Sequence, residues 1–304
     1  MRLLVVGGNG QVGRELRRSL LSLGEVVATT RDGILEGGGA CVAADLSDPA
    51  ALASQVLELA PAAVVNAAAY TAVDKAETDA DAAFLVNAQA PGALARACAD
   101  AGIPLVHYST DYVFDGQGTR PYREDDPVAP LGVYGASKRA GEEAVHAAGG
   151  RGLVFRTSWV YAAHGHNFLR TMLRVAAGRD ELRVVADQAG TPTPAALIAD
   201  VTATALAKVL AGQAPDAGTW HLVADGHTTW HGFAEAIFAE AVAAGLLPQA
   251  PRVLPISSAE YPTPAKRPSY SCLDTTALRR DFGVALPDWR EGLRRVVAEI
   301  AAAG

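Results

Sequence analysis

Short apolar runs alternate with longer stretches of helical spacing through the first half of the chain. "RLLVVG" is a continuous apolar run of strand length, and "GQVGRELRRSLLSLG" after it places Val12, Leu16 and Leu20 on one helical face. "EVVATT" and "ACVAAD" follow as second and third strands. Asp48 and Pro49 then open a helix, as N-cap and first residue. "AAVVNAAA" is a fourth strand, Asp79 to Gly102 a long alanine-rich helix, and "PLVHYST" a fifth strand. A helix over Leu131 to Ala148 and a strand at "GLVFRTS" complete the series. Such alternation, with apolar strands, predicts an α/β fold: a doubly wound parallel sheet covered on both faces and joined by right-handed crossovers.

Beyond Ser158 the rhythm loosens. It predicts a helix around Asn167 to Ala177, a strand at "LRVVAD", a helix from Ala195 to Leu210 and a strand at "GTWHLV". Prolines at 248, 251, 255, 262, 264 and 268 then separate helical pieces. The expected organisation is a sheet domain over residues 1–160, rejoined by 195–222. A smaller C-terminal substrate lobe takes 161–194 and 223–304.

Composition narrows the picture. The 304 residues are 50% hydrophobic, enough for a large core, and the net charge of -7 is spread without long same-sign runs. That balance disfavours a nucleic-acid partner. Cys41, Cys98 and Cys272 form no Cys-x-x-Cys pair, which fits reduced thiols and excludes a zinc or disulfide framework. The apolar run at the start stops at glycines, and no later run is long enough to span a bilayer. A soluble, cytoplasmic protein without a membrane partner is expected.

Candidate chemistry starts with "GGNGQVG", where Gly7, Gly10 and Gly13 stand between the first strand and the first helix. A dinucleotide pyrophosphate needs the backbone to come close there, and the helix mouth at Gln11 and Val12 offers free N–H groups and partial positive charge. The G-x-x-G-x-x-G spacing resembles the extended branch of the short-chain dehydrogenase/reductase superfamily, which implies a Rossmann-type sheet. In that superfamily Asp45 and Leu46, closing the third strand, would lie near the adenine. No acid ends the second strand; Arg31 stands there, suited to a 2′-phosphate, with Asp32 beside it as a competing acid.

The fifth strand ends in "YSTDYVFDG", so Ser109, Thr110 and Asp111 are expected at the carboxyl edge of the sheet, where ligands bind. Tyr134 and Lys138 follow, four residues apart on one helical face. Ketone reduction needs a hydride and a proton. The phenol of Tyr134 can supply the proton, the Lys138 cation is expected to lower its pKa from about 10, and the Thr110 hydroxyl to polarise the substrate carbonyl.

"GGNGQVGREL", "VVNAAAYTAVDKAE", "NAQAPGALARAC", "YSTDYVFDG", "VYGASKRAGE", "RTSWVYAAHGHNFLRTML", "VVADQAGTPT" and "KRPSYSCLDTTAL" together resemble the dTDP-4-dehydrorhamnose reductases over nearly the whole chain. The resemblance implies reduction of the C4 ketone of dTDP-4-dehydro-L-rhamnose to dTDP-L-rhamnose by NADPH, with NADH admitted. It implies that Ala69, Tyr70 and Thr71 line the nicotinamide side and that Thr110, Asp111 and Trp159 touch the sugar nucleotide, with Tyr134 and Lys138 catalytic. Trp159 reads equally well as a core residue, Asn167 as a diphosphate ligand or an N-cap, and Arg267 as a diphosphate ligand or a loop charge. The family often carries asparagine where this chain has Tyr270, which leaves that local substrate contact open. Some relatives form dimers around magnesium; a homodimer is admitted, but no second set of bridging acids is found and no metal ligand is assigned. A nucleotide-sugar epimerase of the superfamily would need the same glycine loop and Tyr/Lys pair. A non-catalytic subunit like the regulatory partner of methionine adenosyltransferase would use the cofactor site without turnover, although the intact Thr110, Tyr134 and Lys138 set argues against it.

Overall fold

Seven strands build the central sheet: β1 (Arg2–Val6), β2 (Glu25–Thr30), β3 (Cys41–Ala43), β4 (Ala63–Asn66), β5 (Leu105–Thr110), β6 (Gly152–Thr157) and β7 (Gly218–His221). The structure, a computed structural model, describes residues 1–176 and 178–303. The strand order is β3-β2-β1-β4-β5-β6-β7, and every neighbouring pair is parallel. The period-two alternation of side chains decides which face each strand residue enters. Leu3 and Val5 join Leu16, Leu20, Ile198 and Leu206 beneath the helices Gln11–Ser19 and Ala195–Leu210. Leu4 and Val6 join Leu52, Val56, Leu94 and Val145 on the opposite face, under Pro49–Leu59, Ala90–Ala101 and Val133–Ala147. Burial on both faces is why β1 and β4 are apolar along most of their length.

The strand order reverses between β1 and β4, so their connections leave in opposite directions and open a crevice at the carboxyl edge. Gly7 follows β1 into that crevice and Ala67 to Thr71 follow β4.

The expected helix from Asp79 to Gly102 is present but changes pitch. Ala80–Phe84 and Ala90–Ala101 are α-helical, and Leu85–Gln89 between them is a π turn. Pro91 explains it: it has no N–H for the Asn87 carbonyl, and its ring would crowd that carbonyl in a regular helix. The Asn87 carbonyl instead faces Gly141, where a Cβ would stand only 2.1 Å from it.

The second lobe differs more from its sequence pattern. The helix expected over Asn167 to Ala177 spans Phe168–Ala176, and Ala177 lies outside the described residues. The proline-rich tail contains a strand, Arg252–Ile256, that runs through Pro255 and pairs in parallel with Glu181–Val185. A two-stranded sheet is all edge, so a missing proline N–H is tolerated there. The lobe closes over Tyr161, Leu169, Phe233, Ile237, Trp289 and Leu293.

Candidate active site

A cavity of about 520 Å³ occupies the crevice, within the roughly 300–1,000 Å³ usual for small-molecule sites. Gly7, Gly10, Gln11, Val12, Ala69, Thr71, Tyr134 and Lys138, all singled out in the sequence, line it. Ser109, expected at the carboxyl edge of the fifth strand, lines it too, and Asn9, Thr157, Val160, Gly165 and His166 add walls that the motifs did not single out. A smaller cavity of about 150 Å³ shares Gly7 and Ala69 with it and is lined by Arg31, Asp45 and Leu46.

The glycines are there for space. Gly7 has φ +88° and a Cβ on it would meet Ala68 at 2.8 Å; one on Gly13 would stand 2.0 Å from the Gly7 carbonyl. Arg14 N–H is the first to bond inside the helix, onto the Gly10 carbonyl at 2.9 Å. The N–H groups of Gln11, Val12 and Gly13 are therefore left without intrahelical acceptors at the cavity wall.

At the far end, Arg31 is 87% exposed and meets Asp45 only loosely, at 3.8 Å. The Asp32 carboxylate turns back onto its own loop, accepting from Thr30 Oγ1 at 2.9 Å and Ile34 N–H at 3.1 Å, which hold its pKa down. Asp32 is thus engaged by its own loop, and Arg31 is the more available of the two.

The helix Val133–Ala147 is docked from outside its own sequence. Glu77 Oε1 accepts from Val133 N–H at 2.9 Å, and Asn87 Nδ2 donates to Ser137 Oγ at 3.0 Å. The same Asn87 side chain brackets the Tyr70 backbone, accepting from its N–H at 2.9 Å and donating to its carbonyl at 3.0 Å. Asn87 thus joins the loop after β4 to the helix of Tyr134 and Lys138. Motif reading missed it, although an asparagine four residues before a proline, inside a helical run, signals a broken pitch.

The electrostatics correct one expectation. Burial pushes the Tyr134 phenol up to about 12, helped by the Asp111 charge and opposed only by the Thr110 hydroxyl. The Lys138 cation does not lower it. Its Nζ donates to the Tyr108 carbonyl at 2.6 Å, and burial pushes the amine itself down to about 8 against the pull of Glu142.

Several predicted contacts lie away from the larger cavity. The Tyr70 phenol turns to Asp79 Oδ2 at 3.2 Å, so only its backbone stays near the crevice. Thr110 and Asp111 are 5% and 2% exposed, with the Thr110 hydroxyl donating to Asp111 Oδ1 at 2.9 Å. Trp159 takes a left-handed φ of +47° and stacks on Trp230 at 3.5 Å, so one indole face is already covered. Asn167 acts as an N-cap, accepting from Arg170 N–H at 3.0 Å, while its amide nitrogen bonds Gln11 Oε1 at 2.8 Å. Arg267 Nη2 donates to Asp74 Oδ2 at 2.8 Å, and its Nη1 is buried without a partner. The Tyr270 backbone bridges Ala189.

The Asp111 carboxyl yields a pH prediction. Burial raises its pKa to about 6, against the Ser271 and Thr110 hydroxyls, so the native state holds this proton to higher pH than the unfolded chain. The group's contribution to stability is fully present below the unfolded value of about 3.9 and is lost as pH rises through about 6. Asp111→Asn should therefore gain on the wild type by about 2 kcal/mol between roughly pH 4 and pH 7 in urea unfolding. A constant difference across that range would refute the assignment.

Comparison with known proteins agrees with this geometry. The sequence model described as the RmlD substrate binding domain matches residues 1–302. The dTDP-4-dehydrorhamnose reductase of Burkholderia thailandensis is 51% identical over 305 aligned positions, covering 99% of both chains. The crystal structure of a dTDP-4-dehydrorhamnose reductase from Clostridium acetobutylicum superposes with a TM-score of 0.87 at 36% identity, covering 99% of each chain. That of the Bacillus anthracis reductase in complex with NADP gives 0.86 at 34% identity, covering 98% of this chain and 99% of that one. Full-length similarity in sequence and in fold, around a cavity that joins the glycine loop to Tyr134 and Lys138, shows that this chain belongs to the dTDP-4-dehydrorhamnose reductase family.

Proposed function

We propose that the protein reduces the C4 ketone of dTDP-4-dehydro-L-rhamnose to dTDP-L-rhamnose with NADPH as donor, and that Tyr134 supplies the proton. The observation that carries this reading is that Tyr134 and Lys138 line the same cavity as the free N–H groups of the glycine loop. The residues fit a nicotinamide dinucleotide: Gly7 leaves room where a Cβ would collide with Ala68, and the smaller cavity at Arg31, Asp45 and Leu46 continues toward an adenosine. When bound, the reduced cofactor supplies the hydride.

The chain's own groups do the rest. A phenol pushed up to about 12 stays protonated throughout the neutral range, so Tyr134 is loaded as a general acid before substrate arrives. Its proton goes to the oxygen that becomes the alkoxide. Thr110 points its hydroxyl at Asp111, so it can polarise the ketone only by rotating that hydroxyl away from the carboxylate. Residues 1–160 with 195–222 hold the cofactor in this reading, and 161–194 with 223–304 hold the sugar nucleotide, apart from the stretch around Leu278, Phe282 and Leu286, which packs with Leu3 and Val5 under the sheet. Arg267, with its buried, unpartnered Nη1, would take a diphosphate oxygen there. The test is the loss of reduced-nicotinamide absorbance on adding the ketosugar, generated in situ. No oxidation by a folded, cofactor-bound protein would refute the proposal.

Cofactor choice follows from the same end of the cavity. NADPH should be preferred over NADH, because Arg31 is available to a 2′-phosphate and Asp32 is engaged by Thr30 and Ile34. An exposed arginine–phosphate contact is worth roughly 1–2 kcal/mol, so Arg31→Ala should weaken NADPH about ten- to thirtyfold and spare NADH. Titration of both cofactors checks this; equal losses would assign Arg31 to solvent.

A further inference from the structure

Behind Lys138 lies a buried polar chain that the reduction as written does not use. His107 on β5 is wholly buried, with Asn66 Nδ2 at 3.2 Å from its Nδ1 and Lys138 Nζ at 3.5 Å from its Nε2. Ala68 N–H donates to Asn66 Oδ1 at 3.2 Å, which fixes the orientation of the Asn66 amide. Its NH2 group therefore faces the imidazole, and Nδ1 must be the acceptor. A neutral ring carries one proton, so that proton sits on Nε2 and points at the lysine nitrogen.

We infer that His107 is a positioning residue for Lys138: its Nε2–H, oriented through Asn66, faces the lysine nitrogen and favours the neutral amine over the ammonium ion. This rests on the reductase reading above for its consequence, but not for its geometry. An ammonium group has three donors and no acceptor, so donor meets donor; a neutral amine offers a lone pair. The imidazole cannot relieve the conflict by gaining a proton, because burial and the Lys138 charge hold its pKa well below the usual value.

Other groups around Lys138 fall into two sets. Tyr108 carbonyl on β5 accepts from Nζ, and Glu142, one turn on along the same helix, favours the cation. Glu142 is itself held by Arg156 on β6, at 2.9 and 2.7 Å. Ser109 and Thr157, which line the same cavity, are uncharged, and the Tyr134 phenol is protonated. His107 is thus the neighbour whose N–H opposes the charge. The consequence is a lysine that exchanges protons near neutrality.

The test reads the lysine directly. The chain has four lysines, Lys75, Lys138, Lys208 and Lys266, so the Lys138 side-chain carbon can be followed by NMR in the cofactor-free protein and assigned with Lys138→Arg. Replacing the donor in His107→Phe should raise the Lys138 midpoint by about one pH unit, a tenfold change, and move the basic limb of the kcat profile the same way. If burial alone set the midpoint, the more apolar ring would leave it in place or lower it, and either result overturns the inference. Should His107→Phe not fold, His107→Leu removes the same donor without adding a charge; the midpoint must again rise. In the wild type, ring nitrogen shifts must place the His107 proton on Nε2, and a proton on Nδ1 overturns the inference without any substitution. A protein that shows these shifts but does not reduce the ketosugar would sink the reductase reading alone. A working reductase whose Lys138 ignores both substitutions would sink this one alone.

Discussion

Tyr134→Phe is expected to lower turnover by on the order of 10²-fold or more while the protein still folds and binds NADPH. The ring is retained, and with it the edge-on contact to Tyr112 at 5.6 Å, so the only loss is the hydroxyl. Proton donation matters only as the alkoxide forms, so kcat and kcat/KM should fall together with little change in KM. Steady-state kinetics with the ketosugar, alongside NADPH titration, measures both. Near-wild-type turnover would mean that another group, with Thr110 the nearest hydroxyl, delivers the proton.

Glu142→Ala is expected to cost about 3–5 kcal/mol of stability, the usual penalty for orphaning a buried ion pair. Glu142 and Arg156 side chains are 6% and 7% exposed and bond through both carboxylate oxygens. Removing the carboxylate strands the guanidinium between Phe114, 5.1 Å from the ring centroid, and the Glu124 carbonyl at 3.4 Å. Replacing both partners with apolar residues of similar volume should recover most of the loss, because the desolvation cost disappears with the charge. Urea unfolding of the single and double variants checks this. A single-variant loss under about 1 kcal/mol would show that water reaches the pair.

Tyr134, Lys138 and the glycine loop could be found from spacing, since i,i+4 neighbours share a helical face and only a strand–glycine–helix junction presents such a backbone. What the lysine does could not. Its nitrogen reaches a carbonyl and an imidazole on β5, thirty or more positions away in the chain, and only the docking of helix on strand brings them together. The lowered phenol pKa expected from a neighbouring cation gave way to burial for that reason. Asn167 and Trp159 show the same limit: the residue types suited a ligand, but one is engaged as an N-cap and the other has an indole face covered by Trp230.

By itself, the sequence determined the strand–helix alternation, the apolar faces, the glycine loop between strand and helix and the four-residue spacing of Tyr134 and Lys138, because these depend on local geometry with a short period. Tertiary structure alone decided the π turn at Leu85–Gln89, the strand through Pro255, the partners of Asp32 and the partners of His107. Each of those is settled by which distant backbone or side-chain group is left to pair with a buried polar atom. That competition, in which an unpaired buried group costs more than a local propensity returns, is resolved only when the chain has packed.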